Sequence, residues 1–166
     1  GVTYLNERAI STQQTGFSFI TQSRSWLPDP VGGILWFGVD DTYSTVYSPM
    51  YCGITKVPPS FAAGNGAMME FSNDAAFWVF NQVSNLAYTR YNLMIPYIQE
   101  KQKVLESQFM AGTATVDKEA SSLYKKNPKK ARQYLTDYSV KSGEKTVAEW
   151  KELYAFLFTR FMDGNV

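Results

Sequence analysis

Ser23-Arg24-Ser25-Trp26-Leu27-Pro28-Asp29-Pro30-Val31-Gly32-Gly33-Ile34-Leu35-Trp36-Phe37-Gly38-Val39-Asp40-Asp41 leads almost at once into Tyr43-Ser44-Thr45-Val46-Tyr47-Ser48-Pro49-Met50-Tyr51-Cys52-Gly53. Within it, Ile34 to Val39 is apolar on both faces, which predicts a strand covered from two sides. Pro28 and Pro30 forbid continuous pairing before it and predict a turn. Upstream, Phe17, Phe19 and Thr21 alternate with Ser18, Ile20 and Gln22, the period of a half-buried strand leading to Arg24. Downstream, Asp40-Asp41-Thr42 breaks the pattern and Tyr43 to Tyr51 reads as a third strand.

Further along the chain the period changes. Thr55 to Glu70, with Pro58-Pro59 and Gly64-Asn65-Gly66, predicts an ordered loop, and a loop of that length in a compact domain suits the wall of a cleft. From Ser72 the spacing is helical, through Phe80, Val83, Ala87, Tyr91, Met94 and Ile98. Ser72, Asn73 or Asp74 is expected to cap that helix, Pro96 to kink or interrupt it, and Gly112 to stop the polar continuation from Gln99 to Met110. Asn127-Pro128 predicts a capped helix start that Gly143 closes. Thr146-Val147-Ala148-Glu149 matches a capping box opening a last helix that ends at Asp163-Gly164. Strands over about 15–54, a loop over 55–71 and helices over 72–163 give an α+β class in a single domain, not alternating βαβ units.

Composition removes several functions. With 16 basic and 15 acidic side chains there is no clustered positive field for nucleic acid or an anionic membrane, and Lys125-Lys126 with Lys129-Lys130-Ala131-Arg132 reads as a solvated helix face. No apolar run is long enough for a membrane span, and Gly1 to Arg8 lacks the pattern of a signal peptide, so the compartment depends on sequence upstream. The chain contains no histidine, so neither a Ser-His-Asp nor a Cys-His site can be assembled from it, and a zinc site would lack its commonest nitrogen ligand. No cofactor is called for. Cys52, the single thiol, reads as a buried and inert strand end.

Five residues stand out as candidates for binding substrate: Arg24, Asp40, Tyr43, Ser44 and Asn81. Arg24 ends the first strand, where a guanidinium fork suits a carboxylate; the alternative is a structural ion pair with Asp29, Asp40 or Asp41. Asp40 and Asp41 are adjacent on a strand and are therefore expected on opposite faces, one orienting Arg24 or receiving an ammonium group, the other closing a turn. Tyr43, Ser44 and Asn81 are hydrogen-bonding partners for a polar ligand.

The opening stretch, followed in order by Gly64-Asn65-Gly66, Ala76-Phe77-Trp78-Val79-Phe80-Asn81-Gln82-Val83-Ser84-Asn85, Leu135-Thr136-Asp137-Tyr138-Ser139 and Phe161-Met162-Asp163-Gly164-Asn165-Val166, resembles the C69 family of bacterial dipeptidases, within the N-terminal nucleophile hydrolases. The resemblance implies a four-layer αββα sandwich, dipeptide substrates, and a nucleophile that is the N-terminal cysteine of the mature protein with its own α-amine as base. It further implies that this chain is the C-terminal portion of such an enzyme, lacking the catalytic cysteine and inactive alone. The partner is then the N-terminal segment of the same protein, or a second copy covering the exposed strand edges. A non-catalytic α+β module that binds a peptide or another chain is the alternative.

Overall fold

The computed structural model describes residues 1–3, 9–67 and 69–162. It is an α+β molecule, with a small antiparallel sheet in the first third and helices after it. Strand β1 (Phe17–Ser23), a one-turn helix α1 (Asp29–Gly32), β2 (Gly33–Val39) and β3 (Ser48–Tyr51) form a three-stranded sheet in the order β1-β2-β3. Phe17 pairs with Val39 and Ser23 with Gly33, while Ile34 pairs with Tyr51 and Phe37 with Ser48. A 3₁₀ turn at Pro59–Phe61 leads to α2 (Ala76–Thr89), α3 (Tyr91–Lys126) and α4 (Pro128–Phe161).

The third strand is shorter than its sequence suggests. Residues 43–47 are irregular because their backbone is held by side chains rather than by a ladder: Tyr47 N–H donates to Glu106 at 3.1 Å and Gln102 Nε2 donates to the Tyr43 carbonyl at 3.1 Å. Cys52 is exposed, not buried as its residue type suggested. Tyr51 turns into the core, so the next side chain in the extended chain turns out.

The helical breaks fall elsewhere than expected. The long amphipathic run breaks at Arg90, whose φ of −146° and ψ of 60° are not helical, and α3 then runs through both Pro96 and Gly112. Pro96 sits early in α3, where it forfeits one backbone bond without ending the helix. Gly112 is a contact glycine: a Cβ there would lie 2.9 Å from the Tyr138 hydroxyl of α4. Gly143 likewise does not stop α4, because the missing Cβ makes room for Pro58, whose Cγ would be 2.4 Å away. Thr146 is no cap either; it lies in mid-helix, fully buried, with its hydroxyl on the Ser142 carbonyl at 2.9 Å. Helix α2 starts from Ala75 without a side-chain cap, whereas Asn127 does cap α4, accepting from Lys130 N–H at 3.1 Å ahead of Pro128. The stop expected at Asp163-Gly164 lies outside the described residues.

Helices α3 and α4, each about 50 Å long, form an antiparallel hairpin on which α2 and the sheet pack. The main core joins Val39 and Val46 to Val79, Phe80, Val83, Met94, Ile98, Leu105, Trp150 and Leu157. Trp150 stacks on Phe80 with ring centroids 4.8 Å apart. A second cluster joins Val31, Ile34 and Tyr51 to Val116, Ala120 and Leu135, and Trp36 packs against both.

The two edges of the sheet differ. Along β3, α4 offers hydroxyls to the strand: Ser139 accepts from Tyr51 N–H at 3.1 Å, Thr146 meets Ser48 at 2.9 Å, and Thr136 accepts from Thr55 N–H at 3.0 Å just beyond. Spacings of three, three and four place Thr136, Ser139, Ser142 and Thr146 on one helix face. Among the described residues strand β1 has no such cover. Phe17, Phe19 and Ile20 are 59%, 53% and 55% exposed, and the strand carries neither charge nor proline. The expectation that β2 is covered on both faces holds in part: Ile34, Gly38 and Val39 are buried and its other residues half-buried, with none exposed.

Candidate functional site

The end of β2 carries a cluster of hydrogen-bonded polar side chains. After Val39 the backbone turns at Asp40, which has φ of +66°, while Asp40 N–H still donates to the Gly16 carbonyl at 2.9 Å. Positive φ costs a non-glycine residue about 1–2 kcal/mol, least for Asp and Asn. The kink breaks the alternation of the strand. Adjacent carboxylates expected on opposite faces both reach α2 in consequence.

Asp40 is 1% exposed and accepts from Asn81 Nδ2 at 3.0 Å and from the Ser84 hydroxyl at 2.5 Å. Burial pushes its carboxyl above the ordinary range, against the opposing pull of those two hydrogen bonds. Asp41 accepts from Tyr88 Oη at 2.8 Å, from Tyr43 N–H at 3.1 Å and from the Ser11 hydroxyl. The bond to the N–H two residues on closes the turn, the role foreseen for one of the pair. Ser44 N–H donates to the Asp41 carbonyl at 3.1 Å, and the Ser44 side chain is buried.

Above the carboxylates stands a row of tyrosines. Tyr43, 52% exposed, stacks on Tyr91 at 6.4 Å, and Tyr91 stacks on Tyr88 at 5.6 Å. Desolvation and then the bond to Asp41 raise the Tyr88 phenol well above its ordinary value; desolvation and the neighbouring Tyr43 raise Tyr91. The Tyr88 phenol stays protonated and donates to Asp41. The structure thus brings together four of the five candidates, Asp40, Tyr43, Ser44 and Asn81, and adds Ser84, Tyr88 and Tyr91. The spacing of Asn81, Ser84 and Tyr88, three and then four residues, places them on one side of α2 and was the available signal for them.

Arg24 lies elsewhere, at the opposite end of β2 and about 20 Å from Asp40 along a seven-residue strand. It is 9% exposed; Nη2 donates to the Val31 carbonyl at 2.7 Å, Nε to the Gly32 carbonyl at 3.3 Å, and Nη1 pairs with Asp117 of α3. Tyr51 Oη donates to the other Asp117 oxygen at 2.8 Å. The partner is therefore none of Asp29, Asp40 or Asp41, because the guanidinium turns under the sheet toward α3. The Pro58–Gly66 loop is on the other side: Phe61 packs on Phe37, which faces away from Tyr51.

Comparison with known proteins bears on this geometry directly. Residues 2–104, well over half of the chain and including β1 to β3, α2 and the Asp40 corner, match Peptidase family C69. The chain belongs to peptidase family C69. A relative of this C69 chain is the probable dipeptidase B of Streptococcus pyogenes serotype M1, 22% identical over 148 residues, which cover 89% of this chain and 29% of that protein. The chain thus spans less than a third of that relative's length. Among the described residues of this C69 chain, no helix is long and apolar enough to cross a membrane.

Proposed function

We propose that this chain forms part of a cysteine dipeptidase, in which an N-terminal cysteine thiolate located outside this sequence attacks the amide carbonyl of a dipeptide, the C–N bond breaks as the second amino acid leaves with its amine protonated, and water then cleaves the thioester to free the first amino acid and the thiol. The carrying observation is the C69 match over residues 2–104, seconded by a relative named a dipeptidase. In this reading the chain supplies fold and substrate-binding surface. Exposed Tyr43 and half-buried Asn81 face the substrate, Asp40 fixes the Asn81 amide, and Ser44 holds the turn that presents Tyr43. Arg24, enclosed against Asp117, keeps the sheet on α3 instead of binding a substrate carboxylate.

The uncovered faces and edge of β1 support an αββα sandwich continued by further strands of the same protein. The test is turnover of dipeptides by the longer polypeptide, with intact-mass identification of its N-terminal residue. Loss of activity on replacing an N-terminal cysteine by alanine, and no turnover by the 166-residue chain alone, are the expected results. Turnover by the chain alone that is abolished by Cys52→Ser would overturn the reading.

A further inference from the structure

Between the Ile20 side of β1–β2 and helix α3 runs a groove of about 520 Å³, within the range of small-ligand sites. Ile20, Trp36 and Met110 give it apolar walls, and Thr113 and Glu106 bring polar groups to them. Glu106 also borders the adjoining hollow beside Tyr43 and Tyr47, so the groove is continuous with the Asp40 corner.

Glu106 is the unusual member. One oxygen accepts from Tyr47 N–H at 3.1 Å, which fixes the side chain; among the described residues no basic group lies within 4.0 Å of the carboxylate. Lys101, on the same helix, is engaged with Glu149 at 2.6 Å, and Lys103, one turn before Glu106, borders the adjoining hollow but makes no ion pair with the carboxylate. Burial raises the Glu106 carboxyl above its ordinary range, against the pull of the Tyr47 hydrogen bond, and a cation beside it would offset that desolvation. A half-buried anion set among apolar walls is complementary to a cation borne on an apolar body.

We propose that this groove binds a protonated primary amine on an apolar residue, the amino end of a peptide, with Glu106 receiving the ammonium and Ile20, Trp36 and Met110 the side chain. The choice of a peptide amine rests on the dipeptidase reading; the groove's preference for an apolar amine does not.

The probe is phenylalaninamide at pH 6.5, followed through the indole N–H resonance of Trp36, which donates to Gln22 at 3.0 Å and is assigned with Trp36→Phe. Saturable shifts are expected with phenylalaninamide, with binding at least about tenfold weaker for N-acetylphenylalaninamide and for Glu106→Gln. Glutamine can still accept from Tyr47 N–H, so the fold should survive, and circular dichroism checks it. Equal binding of the free and acetylated amides, or a Glu106→Gln chain that binds as well as the parent, overturns the proposal. So does a shift that follows protein concentration and ignores the amine, which would place a second copy in the groove. Amine binding without dipeptide turnover by the longer polypeptide would uphold the groove and sink the dipeptidase reading.

Discussion

Asp40 shows how one backbone angle organises the site. Its φ of +66° turns both carboxylates to α2, and Asn tolerates that region as well as Asp does. Because burial raises its carboxyl, the folded chain holds this proton more tightly than the unfolded chain. The contribution of Asp40 to stability is therefore complete below the ordinary value of 3.8 and is lost as pH rises through the raised folded value. Asp40→Asn is expected to remove that dependence, leaving stability at pH 7 unchanged or higher in urea titrations and the advantage shrinking below about pH 4. Asp40→Ala strands Asn81 and Ser84 and leaves a strained backbone, and should cost about 2–4 kcal/mol in the same titrations. At the other end of β2, Asp117→Ala leaves a buried guanidinium unpaired; a loss of about 3–5 kcal/mol is expected. The importance of Arg24 could be read from its place before a proline turn. Its partner could not, since Asp117 is 93 residues away and no local pattern points to it.

Elements were legible where their signal is local. Alternation located β1, the apolar run located β2, and Asn127-Pro128 located the start of α4. Gly112 and Gly143 misled for a physical reason: glycine ends helices by conformational freedom but also sits inside them where another element comes close, and sequence does not separate the two. Their substitutions should diverge. Gly143→Ala drives a Cβ into the rigid Pro58 ring and is expected to cost about 1–3 kcal/mol, less a gain of up to about 1 kcal/mol in helix propensity. Gly112→Ala meets only the movable hydroxyl end of Tyr138, and urea titration should find it neutral or slightly stabilising. The row Thr136, Ser139, Ser142 and Thr146 was equally hidden, because buried hydroxyls on a helix look like ordinary surface residues until a strand edge is set beside them. Removing one shows what they do: Ser139→Ala leaves Tyr51 N–H without its partner and should cost about 1–3 kcal/mol.

At the scale of the molecule, the exposed residues of β1 set its behaviour in solution. The isolated chain is expected to self-associate, and Phe19→Lys to shift it toward monomer in sedimentation velocity with little change in thermal stability, since Phe19 is already half exposed. An unchanged distribution of species would show that β1 is not the contact. The covered edge has a consequence in time. Ser139, which seals β3, lies 88 residues after Tyr51. At ordinary elongation rates of about 5–20 residues per second, a ribosome needs roughly 5–20 s to make that stretch. Throughout that interval the β3 margin of the nascent sheet is bare, so the hazard of misassembly there is greatest before the last helix has emerged.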